Sequence, residues 1–216
     1  PSRMESSRRR RRLIDLLRAG PGICPGRPEG STAVIDELET ARLRLTPFAP
    51  EHVERLHALW TDPDVRRYLW DDEVIPLAKA EQIVADSRRT FRRQEFGLWA
   101  LFPREVANAP APPDRLLGFC GFRPFEGGDQ PELLYGILPE FWGKGLVTEA
   151  CHAVIRQGFG PCGLRRFIAA TDTPNQPSVR VMQRIGMVFE ARCEYHGLDT
   201  VFYALSPEDY ADHLEL

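Results

Sequence analysis

Two glycines flank a lysine in the stretch Phe141-Trp142-Gly143-Lys144-Gly145-Leu146-Val147-Thr148-Glu149-Ala150. The strand-like run Leu133-Leu134-Tyr135-Gly136-Ile137-Leu138 precedes it and stops at Pro139, and a helical pattern follows to Phe159. A glycine loop that opens a helix aims the first free backbone N–H groups at whatever lies above it. The missing side chains let an anion come close, and the helix dipole favours negative charge there. The chemistry predicted is the cradling of a diphosphate.

The loop does not follow the common nucleotide patterns. A Walker A loop needs Ser or Thr after Gly-Lys, where Gly145 stands here. A dinucleotide fingerprint needs a third glycine and sits after the first strand of a βαβ unit, whereas this loop follows the fourth predicted strand.

The elements that must carry the loop are predicted as follows. Ala41 to Leu45 alternates as a first strand and ends at Pro47. Pro50 opens a helix with Val53, Leu56 and Trp60 at helical spacing, broken at Thr61-Asp62-Pro63-Asp64. A second helix after Pro76 places Leu77, Ala80, Val84 and Phe91 on one face. Phe96 to Phe102, Leu116 to Phe122 and Glu132 to Leu138 are three successive strands. The glycine-loop helix directs Val147, Cys151, Val154, Ile155 and Phe159 inward. A strand from Arg165 to Ala170, a short helix from Asn175 to Ile185 stopped by Gly186, and an antiparallel pair at Val188 to Arg192 and Thr200 to Leu205 complete the chain. The order is β-α-α-β-β-β-α-β-α-β-β, an α/β fold on a mixed sheet. Three strands in succession argue against a doubly wound fold, in which strands and helices alternate.

Composition bounds the rest. The chain has 216 residues, 43% of them hydrophobic, and a formal net charge of −3, which suits one domain of ordinary size. Residues 1–30 hold eight arginines, five of them in the run Arg8 to Arg12, against three acids; that balance of +5 leaves −8 for the remainder. The body is therefore not expected to bind nucleic acid. A basic arm over 1–37, broken by Gly20-Pro21-Gly22 and Pro25-Gly26-Arg27-Pro28, is expected to be a solvated tail; its alternative is a hook for RNA or the ribosome. Residues 38–216 form the predicted domain. No apolar run reaches the roughly 18 residues a membrane span needs. Cys24, Cys120, Cys151, Cys162 and Cys193 lack framework or zinc-ligand spacing, which suits a reduced cytoplasm and no metal.

Four pieces of the chain, covering about residues 38–206, together resemble the GNAT superfamily of acyl-CoA-dependent N-acyltransferases, in its ribosomal-protein N-acetyltransferase (RimJ/RimL-like) branch. They are Leu38 to Phe48, Leu59 to Val65, Phe141 to Gly145 with Thr148-Glu149-Ala150, and Asn175-Gln176-Pro177-Ser178 followed by Ile185-Gly186-Met187. The resemblance implies a GNAT-type, mostly antiparallel sheet flanked by helices, with acetyl-CoA as cofactor. Its diphosphate would lie on Trp142, Gly143, Lys144, Gly145, Leu146, Val147 and Thr148, and its pantetheine arm along Ile137 and Leu138, with Asn175 and Ser178 also in contact. Asn175 and Ser178 equally suit the capping of a helix. Val147 departs from the family's usual Gly or Ala, and Leu134 from its Gly.

The implied reaction is acetyl transfer to a primary amine, on a protein N-terminus or a small molecule, by direct attack in a ternary complex. Such a transfer needs a base for the amine, a donor for the developing oxyanion and an acid for the leaving thiolate. By motif position Glu132 is the base, Ile137 N–H the oxyanion donor, and Ser178 the acid, with Tyr135 or Tyr203 behind it. The helix around Val179 to Arg184 lacks the tyrosine many relatives use. Glu149 is expected to be structural, His152 a surface residue, and the cysteines small buried side chains. The stretch Arg66-Arg67-Tyr68-Leu69-Trp70 would be a loop over the acceptor. The alternative function is a non-catalytic acyl-CoA-binding sensor, and the expected state is a monomer or homodimer.

Overall fold

The computed structural model describes residues 37–105 and 109–215. The predicted basic arm lies outside them, save for Glu37. The described residues fall into two compact units, one comprising residues 37–123 with Leu134–Cys162 and the other Pro124–Leu133 with 163–215.

The first unit opens with β1 (Leu38–Glu39) and β2 (Leu43–Pro47), paired antiparallel with Leu38 opposite Leu45. β2 pairs antiparallel with β3 (Leu98–Pro103), and β3 with β4 (Gly118–Pro124). Leu43 and Leu45 are buried and their neighbours partly exposed, as alternation predicts. β3 is buried along its whole length, the continuous apolar run of a strand covered on both faces.

Between β2 and β3 come α1 (Val53–Thr61), α2 (Pro63–Leu69) and α3 (Leu77–Gln94). The predicted break at Asp62-Pro63 is a junction of two helices. The Asp62 carboxylate accepts from the N–H groups of Asp64 (3.0 Å) and Val65 (3.3 Å), and Pro63 fills a first-turn position that needs no N–H. The expected loop at Arg66 to Leu69 is therefore helical. On α3, Ala80, Val84 and Phe91 are buried as predicted, but Leu77 is 42% exposed because it stands at the helix's first position. The buried Ser87 hydroxyl accepts from the Leu98 N–H at 2.8 Å and ties α3 to β3. Phe48, Leu56, Trp60, Val84, Leu98, Ala100 and Phe119 form the core of this unit, with Leu134 and Leu138 against it.

β5 (Pro131–Ile137) passes from one unit to the other after Leu133. Within the second unit it runs parallel to β6 (Phe167–Asp172), Glu132 opposite Ile168. β6 pairs antiparallel with β8 (Leu198–Leu205), and β8 with β7 (Val188–Tyr195). The β7–β8 hairpin turns on His196 and Gly197, both at positive φ (49° and 84°), the requirement of a two-residue turn matching strand twist. The strand order is β1-β2-β3-β4-β5-β6-β8-β7, the predicted mixed, mostly antiparallel sheet.

α4 (Leu146–Phe159) and α5 (Gln176–Arg184) match the predicted helices. Val147 and Phe159 are half-buried, while Leu146, Ala150, Cys151, Ala153, Val154 and Ile155 form the inward face of α4. Besides α2, two further strand or α-helix elements were not expected, the short β1 and a last helix, α6 (Pro207–Leu214). The latter is fixed by a capping box in which Ser206 Oγ accepts from Asp209 N–H (3.2 Å) while the Asp209 carboxylate accepts from Ser206 N–H (3.2 Å).

His52 makes stability pH-dependent. It is 8% exposed, its Nδ1 accepts from the Ala49 N–H at 3.1 Å, and its ring lies 5.4 Å from that of Phe102. Burial lowers its pKa below 6.5; Glu51 opposes this and Arg55 and Arg44 add to it. The neutral ring is thus the one the fold holds. Its contribution is fully present above the unfolded value near 6.5 and is lost as pH falls through the lower folded value. Urea unfolding measured against pH should show this acid-side loss in the native protein and its absence in His52→Gln.

Candidate active site

The loop geometry follows from its two glycines. After Ile137 the chain makes a single 3-10 turn (Pro139–Phe141), runs extended at Trp142, and takes φ of +71° at Gly143 and +73° at Gly145. Side chains are disfavoured at such φ values. Gly145 stands at the N-cap of α4 and no side chain of the described residues caps that terminus. The first bond back into the loop runs from Glu149 N–H to Gly145 O (3.0 Å). The N–H groups of Leu146, Val147 and Thr148 are therefore the orphan donors of a helix start.

The residues around the loop are held in place. Trp142, 49% exposed, donates its indole N–H to Ile137 O at 2.8 Å. The Leu138 N–H donates to Leu117 O at 2.9 Å. Successive N–H groups of an extended chain point to opposite edges, so that of Ile137 faces away from Leu117. Lys144 Nζ lies 5.1 Å from the centroid of the buried Phe141 ring, and the Arg115 guanidinium 5.5 Å from it. Arg115 also pairs with Glu140.

Glu149 is structural, as expected, but through partners the sequence did not reveal. Its carboxylate accepts from the Thr40 hydroxyl, from the Arg42 main-chain N–H (2.8 Å) and from Arg42 Nε (2.7 Å). Burial pushes its pKa up, but the hydrogen bonds from Thr40 and Arg42 outweigh this and hold it below the ordinary value. Arg42 Nη1 also donates to Lys144 O at 2.9 Å.

Glu132, Asn175, Ser178 and Tyr203 belong to the second unit and Tyr135 to the first. Glu132 is the second residue of β5 and only 4% exposed, not the open strand-edge acid it could have been. Asn175 caps α5: its side-chain oxygen accepts from Ser178 N–H at 3.4 Å, and its amide donates to Thr171 Oγ1 at 2.9 Å. The capping role expected of Asn175 is therefore present. Ser178 is half-buried and Tyr203 buried. Of the cysteines, Cys120, Cys151 and Cys162 are buried and Cys193 partly so; Cys24 lies outside the described residues. Burial pushes the Cys151 thiol well up, and burial with the Glu95 carboxylate brings that of Cys162 to about 11. Neither is a ready thiolate nucleophile.

Residues 42–188 match the family model of the acetyltransferase (GNAT) domain. This chain belongs to the GNAT acetyltransferases. It is 30% identical over 163 residues, 69% of this chain and 64% of the relative, to the FsC-acetyl coenzyme A-N(2)-transacetylase of Aspergillus fumigatus. It is 25% identical over 150 residues, 69% of this chain and 81% of the relative, to the N-acetyltransferase YoaA of Bacillus subtilis. In structure it is similar to RimL, a ribosomal-protein alpha-N-acetyltransferase solved in complex with coenzyme A, at a TM-score of 0.65 and 19% identity, over 79% of this chain and 98% of that one.

A GNAT enzyme of this kind moves an acetyl group from acetyl-CoA to an amine. The residues present fit that cofactor's diphosphate, since α4 begins with uncapped N–H donors, and a Cβ built on Gly143 would meet nothing within 4 Å. No described helix is long and apolar enough to cross a membrane.

The glycine loop is legible in the sequence because glycine and proline are local signals. The placement of Thr40 and Arg42, the anchors of Glu149, and of Arg115 is not. The one available signal was Arg42 within an alternating strand, and Arg44 carries the same signal.

Proposed function

We propose that this GNAT enzyme acetylates a primary amine, on a protein N-terminus or a small molecule, by direct attack in a ternary complex with Glu132 as the base. The observation that carries this reading is the burial of a carboxylate at the start of β5, the strand that leads into the glycine loop. Carboxylates are seldom buried this far unless they are paired or placed for chemistry. The family model supports acetyl transfer to an amine. The relatives support the acceptor class, one being named for a protein alpha-amine and another for an N(2) nitrogen.

The roles follow from chemistry. Acetyl-CoA supplies an activated thioester. Gly143, Lys144, Gly145, Leu146, Val147 and Thr148 hold the diphosphate through backbone N–H groups, and the Lys144 ammonium adds charge. The Ile137 N–H, turned away from Leu117, is the donor available to stabilise a developing oxyanion. Glu132 takes the amine proton. Ser178 serves the leaving sulfur, and Asn175 combines its capping role with a contact to pantetheine. No cysteine is required, in keeping with the raised thiol pKa values of Cys151 and Cys162.

A thiol-release assay with acetyl-CoA tests the reading against peptides with free N-termini and a panel of small primary amines. Thiol release is expected with one of these classes and not with the N-acetylated controls. Double-reciprocal plots should intersect, as a ternary complex requires. Parallel lines would show a covalent enzyme intermediate, and binding of acetyl-CoA without release on any amine would overturn the proposal.

A further inference from the structure

We infer that Arg42 is a positioning residue for the cofactor, because its guanidinium sets the direction of the Lys144–Gly145 peptide in the glycine loop. The inference rests on the reading that this loop holds the coenzyme's diphosphate. Arg42 lies immediately before β2, 102 residues from Lys144 in sequence, yet donates from Nη1 to the Lys144 carbonyl at 2.9 Å. Its Nη2 is the nearest atom, at 3.6 Å, to a Cβ built on Gly145.

A trans peptide is planar, with its C=O and N–H pointing in opposite directions. Holding Lys144 O toward Arg42 therefore turns the Gly145 N–H away from Arg42, out of the loop. Gly145, which supplies one of the two torsions about this peptide, gives it little resistance to rotation. Without the guanidinium it could flip and present a carbonyl oxygen where an anion must bind. Arg42 removes that alternative before the cofactor arrives, which is preorganisation.

The guanidinium is itself fixed. Arg42 Nε reaches Glu149 Oε2 at 2.7 Å, the Arg42 main-chain N–H reaches Oε1 at 2.8 Å, and the Thr40 hydroxyl donates to that same oxygen. Glu149 sits in the first turn of α4, so the network clamps β2, the loop and the helix start together. It also keeps the Glu149 carboxylate engaged, so that it does not compete for the helix N-terminus. Arg44, two residues further on and within β2, pairs with Glu37 and takes no part.

The test is calorimetric titration of coenzyme A into the full chain and its variants, together with kcat and KM for acetyl-CoA. Arg42→Gln and Glu149→Gln are each expected to raise the Kd by about 10- to 100-fold, the scale of a misplaced binding group. At saturating cofactor, kcat should stay within about twofold of native, since groups that act only on binding leave it alone. Arg42→Lys keeps the charge but not the fork that reaches both acceptors, so it should recover little. The double variant should bind no worse than either single one, because both act through one network. Arg44→Gln should bind like the native protein. Thr40→Val, which removes one donor and leaves Arg42 in place, should raise the Kd by about threefold and tests the network should Arg42→Gln not fold. Native-like affinity in Arg42→Gln, or additive losses in the double variant, would overturn the inference. Gly143→Val separates the two ideas. If it binds normally, the loop is not the diphosphate site; if it loses binding while Arg42→Gln does not, the loop stands and the positioning role falls.

Discussion

Replacing Glu132 by glutamine is expected to lower kcat by about 10²- to 10⁴-fold, the usual contribution of a positioned general base, while coenzyme A binds with native affinity. Glutamine matches the shape of the carboxylate, so β5 and its register with Ile168 should survive. What it cannot do is accept the proton of an attacking ammonium. The effect should fall on kcat and kcat/KM alike, as for an interaction used only in the transition state. Glu132→Asp, which keeps the base but withdraws it, should lie between the two. Steady-state kinetics with calorimetric titration of coenzyme A checks each point. A Glu132→Gln enzyme with kcat within about threefold of native would remove this residue from the reaction.

The second large effect is expected at Gly145. Its φ of +73° costs an L-residue about 1–2 kcal/mol, and a β-branched side chain suits it least. The space is open, since the nearest atom to an added Cβ is 3.6 Å away, so the cost of Gly145→Val is backbone strain. The strain can be relieved by rotating the peptide that joins Lys144 to Gly145, which turns the diphosphate donors away. The Kd for coenzyme A should therefore rise by about tenfold or more, with a loss in unfolding free energy of the order of the strain. Gly127→Val is the matched control: Gly127 has φ of +71°, and a Cβ there meets nothing within 4 Å. It should lose stability to a similar extent and bind coenzyme A normally. Equal binding by both variants would show that the Gly145 conformation does not serve the cofactor.

The glycine loop was legible because its signals are local. Pro139, Gly143 and Gly145 punctuate the chain whatever surrounds them, and a helix start exposes its N–H groups wherever it lies. The β7–β8 pair was expected, but with shorter strands than the structure has, which run on to Tyr195 and begin at Leu198. Errors came where neighbours decide. Leu77 shares the spacing of a buried face but stands at the first position of its helix, where it is exposed. Asp62-Pro63 reads as a breaker and in fact joins two helices, because a capping acid with a first-turn proline starts a helix as readily as it ends one. The Ser206–Asp209 capping box was present in the sequence and overlooked.

By itself the sequence determined the element order around the loop, the place of its glycines and the class of anion they suit, since turns and helix starts follow from residue type and nearest neighbours. Only the tertiary structure decided that Glu132 is buried and that Arg42, rather than Arg44, holds the loop. Both arginines share the alternation of the predicted first strand, yet Arg42, just before β2, meets Glu149 and Lys144 O while Arg44, within it, lies by Glu37 and the Phe102 ring. The partners of Arg42 are 107 and 102 residues away. Contacts at such separation depend on how the sheet and α4 pack, which no local pattern carries.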